Sequence, residues 1–409
     1  MRRIILGTLA ACLAATLMCA SASAAALPPT LSVTGASLMV AGSDQLLWSE
    51  NGNAELPVAS TTKLMTALVV LQHVKNLNTV FTQEVWHDQP GDSQVGLVPG
   101  DKMTVRDLLV ALLLPSADDA AWDLAYNVGG GSVPRFVAMM NDEARKLGLR
   151  HTHYTTPSGL DTPGNYSSPD DLVRLADYDM RSFPFFRRTV ALRSARIVVG
   201  DYPETVTNTD TLLGAVPWIT GVKTGHTTEA GYVLVSEGSQ RGLTLIASVL
   251  GTDSEAMRNA SALALLEYGF ANFHRITPLR RGQTIARVPV AYSGSPARIV
   301  AAAGYSSVVP TSARTRLRTT GVPRQLSGPM RAGAVVGHVR VEVGGRVVAD
   351  EPLVLRHSLP AVSALTKVGH YLGRPFTLVL LALILGAAVA LEGRRRRPRI
   401  LAAGQLEQR

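Results

Sequence analysis

Hydrophobic and polar residues follow two different patterns along the chain. Up to about residue 275, segments with helical spacing of apolar residues are interspersed with segments in which apolar and polar residues alternate, and these predict helices and strands respectively. The predicted strands lie at residues 31–40, 45–48, 231–237 and 243–250, and the predicted helices at residues 60–74, 104–114, 134–148 and 254–273. Helices that flank an antiparallel sheet predict an α+β core over residues 25–275.

The pattern changes after Thr277. Short valine-rich runs at residues 285–290, 335–343 and 346–355 are separated by glycine, serine and proline, without the spacing of a helix. Such runs are typical of strands, because β-branched residues pack well on a pleated sheet. We therefore expect a small all-β domain over residues 276–357.

The amino terminus has the composition of an export signal. Two arginines precede an apolar stretch that ends in the small residues Ala22-Ser23-Ala24, which form a cleavage site. This order predicts a secretory signal peptide at residues 1–24, with an uncleaved membrane anchor as the alternative. Both cysteines of the chain lie inside it, so we expect the mature protein to contain no thiol and no disulfide.

A second apolar segment lies near the carboxyl terminus. Residues 376–391 carry no charge, and an arginine-rich tail follows them. With its flanking residues the segment approaches the roughly 30 Å core of a bilayer, so we expect one transmembrane helix at residues 371–391. The positive-inside rule then places the tail, residues 392–409, in the cytoplasm and the body of the protein outside the cell membrane. A buried core helix is the alternative.

The basic charge does not indicate a nucleic-acid-binding protein. The net charge is +9 and the pI is about 9.8, but most of the surplus lies at the two termini. The residues between them sum to about +3, so we expect no phosphate-binding surface there. The chain has only six lysines against 34 arginines, so each lysine is an unusual choice, and two of them lie in the motifs described next.

Three short motifs contain residues suited to nucleophilic catalysis. In Ser60-Thr61-Thr62-Lys63, helical spacing places the hydroxyl and the amine on one face, where the lysine can act as a base. Ser116-Ala117-Asp118 follows a helix-breaking proline. Lys223-Thr224-Gly225 offers a cation and a hydroxyl to a carboxylate, if it lies on an edge strand. Taken singly, the two serines suit helix N-caps equally well, and the third motif suits a turn.

Together and in this order, the motifs resemble those of penicillin-binding proteins and class A β-lactamases. The segments LLLPSADDAAWDLA and ITGVKTGHTTEAGYVLV are similar to D-alanyl-D-alanine carboxypeptidases, the low-molecular-mass penicillin-binding proteins, and the resemblance covers about residues 30–275. It implies that family's fold, an antiparallel sheet flanked by helices. It also implies peptidoglycan stem peptides as substrates and β-lactams as covalent inhibitors, with no cofactor and no metal.

The resemblance also implies a role for each motif residue. The implied catalytic residues are Ser60, Lys63 and Ser116, and the implied substrate-binding residues are Asp118, Lys223, Thr224, Gly225 and His226. Ser60 would attack the carbonyl of the penultimate D-alanine, Lys63 would act as base, and Ser116 would relay a proton. Lys223 and Thr224 would hold the terminal carboxylate. The backbone N–H groups of Ser60 and His226 would form the oxyanion hole, and the His226 side chain is expected to shape the site rather than act as a base.

Asp118 departs from the resemblance, because the family usually has asparagine at this position. An ionised aspartate only accepts hydrogen bonds, and near Lys63 it would favour the protonated amine over the neutral base. A catalytically weak, penicillin-binding wall sensor therefore stays open as an alternative to an enzyme. A DD-endopeptidase shares all three motifs, and a β-lactamase is disfavoured because the sequence has no Glu-x-x-Leu-Asn loop.

Overall fold

The computed structural model describes residues 27–84, 92–372 and 375–395. Contacts between residues divide the chain into two units. Among the described residues, the first contains those up to Arg275 together with Val308–Ser312, and the second contains Ile276–Ser307 and those from Ala313 onward. We call them the amino-terminal unit and the β-rich unit.

A five-stranded sheet forms the centre of the amino-terminal unit. In spatial order its strands are β2 (Leu46–Glu50), β1 (Gly35–Val40), β9 (Leu243–Thr252), β8 (Gly231–Gln240) and β7 (Ile219–Thr227). All neighbouring strands are antiparallel. Two separate two-stranded sheets pair β3 (Val80–Thr82) with β4 (Lys102–Thr104), and β5 (Ser194–Val199) with β6 (Tyr202–Thr207). Because β7 is an edge strand, one side of its backbone has no neighbouring strand in this sheet.

Helices pack on both faces of this sheet. They are α1 (Lys63–His73), α2 (Val105–Leu113), α3 (Asp118–Val128), α4 (Val133–Lys146), α5 (Pro169–Ser182), α6 (Pro184–Val190) and α7 (Glu255–Asn272). Alternate side chains of β1 point to opposite faces of the sheet, and each face is covered by a different set of helices. Leu38 and Val40 belong to the hydrophobic cluster that contains α7, whereas Met39 belongs to the cluster that contains α1 to α6.

The α+β architecture predicted from the sequence is confirmed, with differences at the ends of elements. Thr104, where the predicted helix begins, caps α2 by accepting the Asp107 N–H. The predicted strands 231–237 and 243–250 form a hairpin, but both extend further, and the turn between them consists of Arg241 and Gly242. Both residues have positive φ, 47° and 74°, which suits a tight two-residue turn between antiparallel strands.

The β-rich unit contains a second five-stranded sheet. Its strands, in spatial order, are β11 (Thr284–Val288), β12 (Ala297–Ala301), β16 (Arg346–Leu355), β15 (Val335–Val343) and β14 (Thr315–Thr320). Two further strands, β10 (Phe273–Leu279) and β13 (Tyr305–Pro310), contribute residues to both units. The three valine-rich runs fall on β11, β15 and β16, which confirms the strands predicted there. Their inward residues, among them Ile299, Val339 and Leu353, form an apolar core.

Two helices follow the β-rich sheet, α8 (Ala364–Leu372) and α9 (Pro375–Arg395). Within the described part of the chain, no helix is long and apolar enough to cross a membrane. The transmembrane helix predicted at residues 371–391 is therefore not supported. Its sixteen uncharged residues extend only about 24 Å, less than the roughly 30 Å apolar core of a bilayer. The predicted signal peptide, residues 1–24, and residues 396–409 of the predicted tail lie outside the described residues.

Candidate active site

The first motif forms a tight turn that leads into a helix. Ala59–Thr62 form a single 3₁₀ turn, and α1 begins at Lys63 rather than at Ser60 as predicted. Ala59 has a left-handed backbone with φ of 46°, which is uncommon for a residue other than glycine. The turn leaves Ser60 half-buried, while Lys63, one helical turn away, is completely buried.

The Lys63 amine joins Ser60 to two other segments. Its Nζ atom lies 2.8 Å from Ser60 Oγ, 2.6 Å from Asp118 Oδ1 and 2.9 Å from the Ser158 carbonyl oxygen. The ionised Asp118 carboxylate and the Ser158 carbonyl only accept hydrogen bonds, so Lys63 donates to both. In the neutral form that a base requires, the amine makes both bonds with its two N–H groups and keeps its lone pair for the Ser60 hydroxyl, whereas the Asp118 carboxylate favours the protonated form. The geometry therefore suits a base that removes the Ser60 proton.

The second motif is not the helix N-cap that its sequence alone allows. α3 begins at Asp118, and its N-cap, Ala117, makes no side-chain capping bond. Ser116 instead has φ of 68°, and its hydroxyl accepts a 2.8 Å hydrogen bond from Lys223 Nζ. Ala59 and Ser116 thus both have left-handed backbones beside groups suited to catalysis, and such conformations concentrate at functional sites.

The third motif lies on the edge strand β7 and not in a turn. Lys223 is buried, and its Nζ atom also donates to the Thr224 carbonyl at 3.0 Å. Burial lowers the pKa of Lys223 well below its ordinary value, and the positive charge of Lys63 lowers it further. Two neighbouring ammonium groups are unfavourable in this interior, so the site favours an uncharged amine at one of the two lysines.

The two residues after Lys223 suit close approach of a substrate. Thr224 Oγ1 lies 2.6 Å from Thr209 Oγ1, and either hydroxyl can donate. Thr224 can therefore turn its hydrogen toward a carboxylate while Thr209 donates in its place. A Cβ atom at Gly225 would lie 2.9 Å from the Ser60 backbone nitrogen, so a glycine is needed for β7 to pass this close to Ser60.

His226 lies next to the last residue of β7 and lines a cleft. Its exposed ring stacks on Tyr232 of β8 with the ring centroids 4.1 Å apart, which suits the shaping role predicted for it. The cleft has a volume of about 360 Å³, and Ser60, Asp118 and His226 are among its lining residues. A larger cavity of about 910 Å³ lies in the β-rich unit, but none of the motif residues lines it, so its size does not make it the active site.

The structure adds contributors that the motifs do not indicate. Besides the Ser158 carbonyl, Gly159 packs so closely that a Cβ there would lie 1.9 Å from the Ala59 carbonyl oxygen. Arg258 of α7 is buried, and its positive charge, like that of Lys63, lowers the pKa of Lys223. Every residue has a backbone carbonyl group, and one arginine in a helix forms no distinctive sequence pattern. Only the fold therefore reveals these contacts.

The sequence profile of the D-alanyl-D-alanine carboxypeptidases matches residues 22–254. The chain belongs to the D-alanyl-D-alanine carboxypeptidase family. It is 36% identical to the D-alanyl-D-alanine carboxypeptidase of Streptomyces sp. (strain K15) over 282 residues, which cover 64% of this chain and 96% of that protein. It is 30% identical to the D-alanyl-D-alanine carboxypeptidase DacC of Escherichia coli (strain K12) over 359 residues, which cover 84% of this chain and 86% of that protein. The protein is therefore a serine peptidase.

Solved structures show the same relationship. Penicillin-binding protein 5 of Haemophilus influenzae aligns with a TM-score of 0.65 at 27% identity, over 82% of this chain and 99% of its own. The DD-transpeptidase of Streptomyces K15 aligns with a TM-score of 0.56 at 35% identity, over 60% of this chain and its full length. The penicillin-binding-protein fold expected from the sequence is thus confirmed.

Proposed function

We propose that the protein is a serine-type D-Ala-D-Ala carboxypeptidase that removes the terminal D-alanine from peptidoglycan stem pentapeptides. The observation that carries the proposal is the position of the Lys63 amine, 2.8 Å from the Ser60 hydroxyl and held by two acceptor groups. A nucleophile and its base are therefore in contact before any substrate binds. The family to which the chain belongs supports the choice of substrate.

Acylation begins when Lys63 takes the Ser60 proton and Ser60 Oγ bonds to the carbonyl carbon of the penultimate D-alanine. The N–H groups of Ser60 and His226 donate to the oxyanion, and one such donor contributes about 2.7–4 kcal/mol in other enzymes. The C–N bond then breaks. The proton passes from Lys63 through Ser116 to the nitrogen of the departing D-alanine, so the acyl-enzyme forms with no net change of charge.

The terminal carboxylate of the substrate lies against the third motif in this proposal. Lys223 and Thr224 supply a cation and a hydroxyl, and Arg258 adds positive charge behind them. A bound carboxylate favours the protonated form of Lys223, so substrate binding offsets the effect of burial on this lysine. The substrate carboxylate that the site recognises therefore also favours the protonated Lys223 that binds it.

Water hydrolyses the acyl-enzyme and releases the shortened peptide. A β-lactam acylates Ser60 in the same way, but its amine stays attached to the acyl group, so the ester persists and inhibits the enzyme. Stem peptides lie outside the cytoplasmic membrane, and we place the enzyme there as part of the proposal. The leader-like composition of residues 1–24 supports this location.

Labelling with a fluorescent penicillin, followed by a D-alanine release assay on a stem pentapeptide, tests the function. We expect stable labelling together with D-alanine release, and the loss of both in Ser60→Ala. Labelling that persists in Ser60→Ala would overturn the assignment of the nucleophile.

The same assays separate the alternatives. Labelling without release would indicate a penicillin-binding sensor, and rapid loss of the label would indicate a β-lactamase. Cleavage of a crosslinked peptide dimer in preference to the pentapeptide would indicate an endopeptidase. Because one structural relative is named a DD-transpeptidase, an added amine acceptor is also needed. Transfer to that amine in place of hydrolysis would change the reaction class but not the acyl-enzyme.

A further inference from the structure

One wall of the cleft is bonded to the same carboxylate that holds the catalytic lysine. Asp118 Oδ1 pairs with Lys63 Nζ at 2.6 Å, and Asp118 Oδ2 accepts the Ser93 backbone N–H at 3.0 Å. In return the Asp118 N–H donates to the Ser93 carbonyl at 2.6 Å. Ser93 lines the cleft, so the Lys63 partner is also a structural support of the wall.

The next residue continues this support. Asp119 Oδ2 accepts the backbone N–H groups of Val95, Gly96 and Leu97, at 3.1, 2.9 and 3.0 Å. Three consecutive amides thus converge on one buried carboxylate oxygen. Burial raises the pKa of Asp119, whereas these hydrogen bonds lower it, so they stabilise the ionised carboxylate in this interior.

Asparagine at position 118 could not make the same set of bonds. Its carbonyl oxygen could still accept from Lys63, but its NH₂ group would face the Ser93 N–H, and two donors do not bond. The aspartate in this chain therefore has a specific partner in Ser93. This explains why the departure from the family's usual asparagine is compatible with an ordered site.

We propose that Asp118 and Asp119 are positioning residues that clamp residues 93–97 and so set the width of the substrate cleft, with Asp118 linking this wall to Lys63. The proposal rests on the proposed function, because the cleft is taken to bind the stem peptide. The two carboxylates act together: Asp118 fixes the start of the segment beside the reacting groups, and Asp119 fixes the three residues that end it.

Steady-state kinetics on a stem pentapeptide test the effect on the cleft. Asp119→Asn leaves one uncharged acceptor oxygen, which cannot serve both the Val95, Gly96 and Leu97 amides and the Ala120 N–H that Asp119 Oδ1 accepts at 2.8 Å. The change does not touch Lys63, so we expect KM to rise about tenfold with kcat nearly unchanged. Asp118→Asn alters Lys63 as well, so both KM and kcat should change. Asp123→Asn is the matched control. Asp123 lies on the same helix and is equally buried, but it accepts a hydrogen bond from the Asn127 side chain and none from the wall. It should leave both constants as in the wild type.

Backbone hydrogen exchange tests the clamp independently of turnover. Gly96 is exposed, yet we expect its amide to exchange slowly in the wild-type protein, because it is bonded to Asp119. Exchange at Gly96 and Leu97 should accelerate at least about tenfold in Asp119→Asn and not in Asp123→Asn. If Asp119→Asn does not fold, the amide exchange rate at Gly96 in the wild-type protein still tests the clamp. Exchange as fast as in an unstructured peptide would refute it.

The outcomes keep the two proposals apart. A wild-type protein that releases no D-alanine would contradict the proposed function, and the claim about cleft width would fall with it, although slow exchange at Gly96 would still show the clamp. D-alanine release with identical kinetics in Asp119→Asn and Asp123→Asn would overturn the positioning role alone. Faster exchange with an unchanged KM would overturn it too, because the wall would then be held without shaping the cleft.

Discussion

The amino-terminal unit keeps polar and charged groups in its interior, whereas the β-rich unit keeps them at its surface. In the part of the chain that the structure describes, every buried polar or charged side chain belongs to the amino-terminal unit, including Lys63, Lys223 and Asp119. The cluster that forms the core of the β-rich unit is made of apolar residues such as Ile299 and Leu353. Buried charges are expensive unless they are paired. The amino-terminal unit, which contains the candidate active site, therefore carries an energetic cost in its interior that the β-rich unit does not carry.

The two units also differ in the sign of their charge. Residues 27–275 contain 18 basic and 26 acidic side chains, whereas residues 276–360 contain 12 basic and three acidic ones. The near-neutral sum over both regions conceals this opposition. In the β-rich sheet, Arg287 pairs with Arg298 across neighbouring strands, and the Arg356 N–H donates to the Arg298 carbonyl. Like charges directly across a sheet repel each other. The β-rich unit therefore has unfavourable charge pairs at its surface, whereas its core is apolar.

Removing the Lys63 amine should give the largest effect and tests the contrast directly. Lys63→Met leaves the Asp118 carboxylate buried without its cation, which typically costs about 3–5 kcal/mol. Losing the base should also slow acylation by roughly 10²–10⁴-fold. Denaturant unfolding and penicillin acylation measure the two effects. The double variant Lys63→Met, Asp118→Asn should recover much of the stability but none of the acylation. Equal stability of the single and double variants would show that the unpaired charge is not the cause.

Asp123 should make the stability of the amino-terminal unit depend on pH. Burial raises its pKa to about 7, the Asn127 hydrogen bond opposes this, and Asp119 and Glu84 add to it. The folded state then binds the proton more tightly than the unfolded chain between about pH 4 and 7, so stability falls as the pH rises through that window. The full difference is up to about 4 kcal/mol.

Asp123→Asn should remove this dependence, so that it is more stable than the wild type above pH 7 and similar to it near pH 4. Urea unfolding at pH 4 and pH 8 measures the difference. The matched change in the β-rich unit, Asp350→Asn, affects an exposed carboxylate and should show no comparable shift between the two pH values. A wild-type protein with equal stability at both pH values would contradict the expectation.

Gly225→Ala should damage chemistry more than folding. Its Cβ would collide with the Ser60 backbone nitrogen, an oxyanion donor in the proposed mechanism. Displacing one such donor slows the reaction by about 10²-fold or more, so penicillin acylation should fall by that amount. Gly294→Ala is the control in the β-rich unit, because no atom lies within 4 Å of the added Cβ. Unchanged acylation in Gly225→Ala would mean that the strand and Ser60 can separate without loss.

The smallest effect is expected at the surface of the β-rich sheet. Arg287→Thr relieves the repulsion with Arg298 and should stabilise the protein by about 0.2–1 kcal/mol without changing D-alanine release. Arg318→Thr is a matched change that loses an ion pair with Glu342 and should bring no such gain. Thermal unfolding measures both. Stabilisation by the second variant as large as by the first would indicate that total charge, rather than the arginine pair, is responsible.

Sequence patterns predicted the elements best where the signal is local. The strands β8 and β9 and the helix α2 are examples, although β8 and β9 are buried on both faces. β7 carries no such signal. Its residues 221–225 are all buried, so apolar and polar positions do not alternate. Helix α1 began later than predicted because Ser60 belongs to a separate 3₁₀ turn, a distinction that spacing alone does not make.

The motif residues of the site could be predicted, but their supports could not. The order of the three motifs and their resemblance to a family predicted that Ser60, Lys63 and Lys223 act together, and the fold brings them into one cluster. Ser158 and Ser93 make their contacts through main-chain atoms. Because any residue has these atoms, the residue type at such a position does not predict the contact. Ser158 lies 95 positions from Lys63, so only the folded chain reveals that contact.

The open edge of β7 makes the site vulnerable to the wrong partner. A strand without a neighbour is a template for pairing with another chain, and proteins usually block such edges with charges, prolines or bulges. A cleft that must admit an extended peptide beside β7 cannot be closed in this way.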